Sequence, residues 1–317
     1  MYQNLFVGDA PQRALTFLTA QAQRIETQVY AIQYRDIQYQ NFVPLDFTGP
    51  EWITGVTYFS MDMVGRAAWF NAKADDVPHA EVLREKFDVT VSMLAIGYDY
   101  DIQEINVALF NNQDLRADKA AAARRASEEF VEKVAFFGDT TKGYYGLTNN
   151  PNVTAATAAA TGTGSATTFA SKTPDNILAD INGAITGIFT GTQGSEISDT
   201  LLLPITQLTD ISSRRLGTNN ETTVLEWIQR TNTYTLQTGQ PLTIRGVWGL
   251  ETAGSGSSAR MVAYRRDPTV VLMYIPMPFQ FLAPWQSGPL RFEVPGIMRI
   301  GGVDVRRPKA FRYIDGI

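Results

Sequence analysis

NNQDLRADKAAAARRASEEFVEKVAFFG, residues 111–138, carries the start and stop signals of one long helix. Asn111 or Asn112 can cap the start, Asp114 complements the dipole in the first turn, and Gly138 offers a left-handed stop. Leu115, Ala122, Ala126, Phe130, Val134 and Phe137 recur at helical spacing and predict the buried face; Arg124, Arg125, Glu128, Glu129, Glu132 and Lys133 fill the remaining arc. At 1.5 Å per residue a helix over 112–137 is roughly 40 Å long, about the width of a small domain. Alanines at 120–123 predict a close neighbour along its first half, and the phenylalanines a deeper core along its second.

Outside this helix, 317 residues with 44% hydrophobic content can bury a substantial core, in about two domains or one elaborated one. A net charge of −5 leaves no global basic field for holding nucleic acid by counterion release. The absence of cysteine excludes disulfides, thiolate metal sites and thiol nucleophiles, and His79 is the only histidine. No signal peptide and no apolar run of membrane-spanning length is present, so a soluble protein is expected.

In order, Pro11–Ile32 keeps a helical period, and Tyr34–Asp46 reads as an extended strap. Gly55–Met63 and Phe87–Ile96 alternate and predict an antiparallel ribbon, joined by Val64–Lys86 with Trp69 and Phe70. Two strands alone are marginal in water, so the ribbon needs either a sheet of its own domain or the surface of another subunit. Tyr98–Phe110 reads as a short helix, and Thr154–Ser171, rich in Thr, Ala, Gly and Ser, as an exposed connector. Thr173-Pro174 starts a helix with Ile177, Leu178, Ile181, Ile185, Ile188 and Phe189 as its stripe. The mixed strands and helices beyond, with a return to strands from Arg291, predict an α+β architecture.

Catalytic patterns are weak. A Ser-His-Asp site would have to use His79, and no Gly-x-Ser-x-Gly elbow accompanies it. Asp99, Asp101 and Glu104 form the best carboxylate cluster for a hard cation, but capping of the short helix explains them as well. Gly162-Thr163-Gly164 and Gly254-Ser255-Gly256 lack the lysine and context of phosphate loops. No catalytic, cofactor-binding or metal residue is therefore assigned. Gly55 and Gly97, flanking the ribbon base, are candidate hinges.

The order of several segments resembles the tailed-bacteriophage major capsid proteins of the Hong Kong ninety-seven fold, in the branch similar to encapsulin shell proteins. The residues that carry it include Val56-Thr57-Tyr58 with Asp62 and Gly65, Ala74-Asp75-Asp76-Val77-Pro78 and Ile102-Gln103-Glu104-Ile105. Further along are Phe136-Phe137-Gly138-Asp139, Gly146-Leu147-Thr148-Asn149-Asn150-Pro151, Thr200-Leu201-Leu202-Leu203-Pro204 and Arg260-Met261-Val262-Ala263-Tyr264. The resemblance implies an N-terminal arm (1–48), an extended loop made by the ribbon (49–97), a peripheral domain with the spine helix (98–172), an axial domain (173–289) and returning strands (290–317). It implies that the ribbon overhangs an adjacent subunit, with Tyr58, Phe59, Met61, Met63, Trp69 and Phe70 as its assembly residues. It further implies hexamers and pentamers closing an icosahedral shell around double-stranded DNA, without sequence-specific binding, a membrane or a cofactor. The protein would reside in the virion after synthesis in the bacterial host cytoplasm. Decoration, portal and scaffolding proteins would be further partners. Some members carry a cleaved N-terminal scaffolding segment; Met1 directly before the arm is expected to mean its absence. The competing readings are an encapsulin-like nanocompartment of the same fold and a soluble hydrolase using Asp99, Asp101 or His79.

Overall fold

In chain order the computed structural model gives a helical turn α1 (Tyr39–Phe42), strands β1 (Leu45–Asp46), β2 (Gly55–Val64) and β3 (Glu81–Asp101), helices α2 (Ile102–Asn111) and α3 (Leu115–Phe137), and β4 (Thr154–Thr157). Next come α4 (Pro174–Gly191), β5 (Thr200–Pro204), α5 (Ile205–Ser213), β6 (Arg215–Gly217), β7 (Asn220–Thr223), α6 (Val224–Thr231) and α7 (Thr233–Thr238). The remaining strands are β8 (Thr243–Val247), β9 (Arg260–Tyr264), β10 (Val271–Tyr274), β11 (Met277–Phe281), β12 (Trp285–Gly288), β13 (Arg291–Gly301), β14 (Val303–Val305) and β15 (Phe311–Asp315). The structure describes residues 35–65, 79–111, 115–217 and 220–317. The helix expected at Pro11–Ile32, the residues Trp69 and Phe70, the cap candidate Asn112 and the first-turn Asp114 lie outside them. Ile37–Ile317 form one compact unit; of the other, Met1–Asp36, only Arg35 and Asp36 are described.

One sheet separates two cores. Its order is β4-β15-β9-β5-β8, and β5 and β9 are buried at every position. Because successive side chains point to opposite faces, Leu201, Leu203, Met261, Ala263 and Ile314 join one core, with Ile177, Ile181, Ile185 and Ile188 of α4. Leu202, Val262, Tyr264, Phe311 and Tyr313 join the other, with Val131, Val134 and Ala135 of α3 and Met273 of β10. A strand wetted on neither side reads as a continuous apolar run, which is why Leu201-Leu202-Leu203 shows no alternation. α4 starts as expected, with Pro174 at its first position and the Thr173 hydroxyl accepting from the Asn176 N–H.

The sheet also contains a buried ion pair between directly opposed residues of β9 and β15. Arg260 donates from Nε to Asp315 Oδ1 (2.6 Å), from Nη2 to Oδ2 (2.8 Å) and from Nη1 to the Thr148 carbonyl (2.6 Å). Asp315 also accepts the Ser255 N–H at 3.0 Å. Burial alone would push the Asp315 carboxyl up, but the hydrogen bonds from Arg260 and Ser255 and the charge of Arg260 outweigh it and hold the group below the ordinary range.

α3 is present where predicted, but it is rotated. Ala123, Ser127, Val131, Val134, Ala135 and Phe136 are buried, whereas Ala122, Ala126 and Phe130 are exposed and Phe137 is half-buried. The side chain of Leu115 lies outside the described residues. Two stripes one residue apart share the same spacing, and the choice between them is made by what packs from outside. On one side α1 lies on the helix, with the Gln38 N–H donating to buried Glu132 and the rings of Phe42 and Phe136 5.7 Å apart.

The helix stops as predicted at Gly138, whose φ of 71° is the left-handed value and where a Cβ would stand 2.2 Å from the Tyr144 carbonyl. The turn after it completes the stop. The Leu147 N–H donates to the Ala135 carbonyl (2.8 Å), the Thr148 hydroxyl to Phe136 (2.7 Å) and the Asn149 amide to Phe137 (2.7 Å).

Several expectations need correction. Tyr98–Asp101 is strand, and the short helix begins only at Ile102, because β13 pairs with β3 through Asp101. Thr154–Ser171 is not wholly an exposed connector: β4 runs parallel to β15, and Phe169 is buried in a core. Tyr34–Asp46 is not uniformly extended, since Tyr39–Phe42 make a helical turn that sinks two aromatic rings into the core.

Candidate assembly surface

Strand β3 changes partners midway. From Val91 to Asp101 it pairs with β13 on one edge, and from Glu81 to Thr90 with β2 on the other, in register from Gly55↔Thr90 to Val64↔Glu81. Its 21 residues span roughly 70 Å at about 3.3 Å each, so half the strand belongs to the body and half to a two-stranded ribbon. The ribbon expected between Gly55–Met63 and Phe87–Ile96 is thus present but displaced outward. Its partner strand starts at Glu81, and Val91–Ile96 pair with β13 instead.

Opposed residues of an antiparallel pair share a face, so the register sorts the ribbon. One face carries Thr57, Phe59, Met61 and Met63 opposite Asp88, Lys86, Arg84 and Val82. The other carries Val56, Tyr58, Ser60, Asp62 and Val64 opposite Val89, Phe87, Glu85, Leu83 and Glu81. On the first face Phe59 is 67% exposed, Met61 54%, Met63 76% and Val82 54%. Lys86 pairs with Asp88 at 3.0 Å, near the base.

The second face is held to the body at its base. Tyr58 stacks on Phe87 with centroids 5.3 Å apart, and its hydroxyl donates to Asp304 of β14 at 3.2 Å. Arg306 lies 4.9 Å from the centre of the Tyr58 ring, bonds Asp304 from Nε at 3.3 Å and donates to the Tyr274 hydroxyl. Burial raises the Tyr58 phenol and the Asp304 carboxyl above their ordinary values, in the latter against the hydrogen bonds from Arg306 and Tyr58. Behind them the Tyr144 hydroxyl lies within hydrogen-bond distance of the Ser92 hydroxyl (2.8 Å) and the accepting Thr90 carbonyl (3.2 Å). Asp304, Arg306, Tyr274 and Tyr144 were not legible as anchors, because Tyr58 and Asp304 stand 246 positions apart and no local pattern joins them.

Of the two proposed hinges, Gly55 stands at the ribbon base opposite Thr90, where a Cβ would come within 3.1 Å of the Val89 carbonyl. Gly97 does not flank the base. It lies inside β3 opposite Pro295, and a Cβ there would stand 2.7 Å from the Val294 carbonyl, so close strand approach accounts for the glycine. The acidic cluster is dispersed. Asp99 pairs with Arg291 at 3.3 Å, Glu104 with Lys119 at 2.7 Å, and Asp101 faces the Gln103 N–H at the helix start. Among the described residues no group of three or more potential ligands could hold a metal ion, and no helix is long and apolar enough to cross a membrane. His79 is exposed just before β3.

Compared with protein families, residues 65–317 match the model of the major capsid protein family. This chain belongs to that family. The capsid protein also shares its fold with a chain of the capsid of Myoviridae phage XM1, at TM-score 0.77 and 18% identity over the whole of both chains. A chain from Microbacterium phage Oxtober96 matches at TM-score 0.63 and 12% identity, over 94% of this chain and 97% of that one. A chain from the virus-like particle of Pyrococcus furiosus matches at TM-score 0.51 and 11% identity, over 87% and 91%. No curated protein sequence matches. The architecture is therefore that of Hong Kong ninety-seven-type capsid proteins, and the chain is a structural component of a virion shell built from copies of itself.

Proposed function

We propose that this major capsid protein assembles as hexamers and pentamers into the icosahedral shell that encloses the double-stranded DNA of a tailed bacteriophage. The observation that carries this reading is the ribbon: apart from its base, the large apolar side chains described on its two strands are exposed in the single chain, in a family whose members build shells. Two-stranded ribbons are marginal alone, and a neighbouring copy supplies the missing burial. Phe59, Met61, Met63, Trp69 and Phe70 are its assembly residues, whereas Tyr58, expected among them, anchors the ribbon base to Asp304 of its own chain. Within the arm of 1–48, Tyr39, Phe42 and Val43 are buried in their own chain's core, so the strapping of a sister subunit is assigned to the segment before them. The same reading divides the chain into a peripheral region (98–172) with the spine helix and an axial region (173–289) facing the capsomer axis, the last strands (290–317) rejoining both; the core around α3 also takes in Val270, Val271, Met273 and Ile275, and the core around α4 Ala158 and Phe169.

The shell gains stability by multiplicity. A standard interface buries about 1,600 Å², and closed symmetry lets each copy complete several at once while each contact stays weak enough to correct errors. The net charge of −5 suits a container wall that does not grip the genome along its length. Synthesis takes place in the host cytoplasm, and portal, scaffolding and decoration proteins complete the particle.

Expression of the full chain followed by sedimentation and negative-stain microscopy tests the reading. The expected result is megadalton closed particles; a chain of 35.1 kDa that stays monomeric at high concentration overturns it. In infected cells, particles holding DNA with portal and tail proteins support the viral role. Particles holding one cargo enzyme would make it a nanocompartment instead.

A further inference from the structure

We infer that the ribbon binds a second copy of this chain through one face only, the face that carries Phe59, Met61, Met63, Val82, Arg84 and Lys86. The inference rests on the capsid reading and adds to it which face docks and what chemistry it meets.

Three independent observations select that face. First, it holds four exposed large apolar side chains, whereas the opposite face holds two beyond its base, Val64 and Leu83. Second, the opposite face is already committed at its base, where Tyr58 and Phe87 stack and Tyr58 bonds Asp304 beneath Arg306 of the same chain. Third, the two faces differ in charge. The first has Arg84 and Lys86 against one carboxylate, Asp88, which pairs with Lys86, while the second has Asp62, Glu81 and Glu85 and no basic residue. Copies with a net charge of −5 repel on average, and pressing three more carboxylates against a sister molecule adds repulsion and desolvation. A cationic, methionine-rich face has the opposite sign to its partner and an adaptable apolar surface. The surface it meets on the second copy therefore offers carboxylates around apolar side chains.

Val82 and Leu83 provide the cleanest comparison, being adjacent in β3, similarly exposed at 54% and 56%, and on opposite faces. Val82→Ser and the pair Arg84→Glu/Lys86→Glu are expected to reduce the yield of closed particles about tenfold or more, which corresponds to the loss of a single modest contact per subunit. Leu83→Ser and the pair Glu81→Gln/Glu85→Gln are expected to leave it within about twofold, since exposed positions away from contacts are nearly neutral. Thermal melts of the unassembled subunits show whether each variant is folded, and Val82→Ser keeps the test valid should the double charge reversal disturb the Lys86–Asp88 pair. If wild type forms no particles, the capsid reading fails. If wild type assembles but both faces respond alike, or only the Leu83 face responds, one-sided docking is wrong.

Discussion

Strands β5 and β9 and the ribbon strands β2 and β3 are made by the same backbone chemistry and meet opposite fates. The former are buried on both faces at every position, one side in each core. The latter leave Phe59, Met61 and Met63 in water, and beyond Thr57 and Asp88 each ribbon strand pairs only with the other among the described residues. Apolar content alone does not separate them, since the ribbon is also rich in Phe, Met and Val. What separates them is the source of cover: the shared sheet is completed by its own chain, whereas the ribbon, on the proposed reading, is completed by other copies. Stability of the subunit should therefore reside in the sheet, and assembly in the ribbon.

The largest test of that division is Arg260→Met. Arg260 and Asp315 face each other across β9 and β15, with side chains 11% and 9% exposed. Removing the guanidinium leaves the Asp315 carboxylate buried without its partner and the Thr148 carbonyl without its donor. Loss of one partner from a buried pair costs about 3–5 kcal/mol. Denaturant unfolding of the unassembled subunit measures it, and a loss below about 1 kcal/mol, the range of surface pairs, would remove the sheet from its central place.

A smaller effect distinguishes the sheet from the ribbon anchor by pH. The Asp315 carboxyl is held below its ordinary value, so its contribution is present at neutral pH and is lost as pH falls through its folded value, below the unfolded carboxylate range. Asp304, at the ribbon base, is shifted the other way by burial. Its folded form binds a proton more tightly than the unfolded chain does, so its contribution is full in acid and declines as pH rises through the folded value. Asp304→Asn removes that decline. Wild type minus variant stability should therefore become less favourable to wild type as pH rises from the unfolded carboxylate range through the folded value, by about 1.4 kcal/mol for every tenfold difference in proton affinity between the folded and unfolded chain. A difference that stays flat or rises with pH would contradict the sign.

The sequence made the framework readable wherever local rules act. The Gly138 stop, the Thr173-Pro174 start and the alternation of the ribbon each depend on residues a few positions apart. The Leu147-Thr148-Asn149 stretch stood out among the residues of the family resemblance, but its task of satisfying the last carbonyls of α3 did not. Rotation of α3 was also hidden, because Ala122-Ala126-Phe130 and Ala123-Ser127-Val131 have equal spacing and only the packing of α1 and the sheet chooses between them. The ribbon anchor was hidden for the same reason: Tyr58, Tyr274, Asp304 and Arg306 are assembled by topology rather than by any motif.

The smallest expected change in stability is the one that says most about the ribbon. Phe59→Ser, Met61→Ser and Met63→Ser, made together, alter side chains that are already more than half exposed, whereas Leu202 in β5 is fully buried. Each exposed change is expected to move subunit stability by no more than about 0.5 kcal/mol, while Leu202→Ala costs about 2–5 kcal/mol. The denaturant midpoint of the unassembled triple variant should therefore lie closer to wild type than that of Leu202→Ala. Particle formation should be lost in the triple variant, because on the proposed reading these three side chains are covered by a sister molecule. A triple variant that unfolds early would mean that the ribbon packs on its own subunit in solution. One that assembles normally would mean that the shell is held by other surfaces.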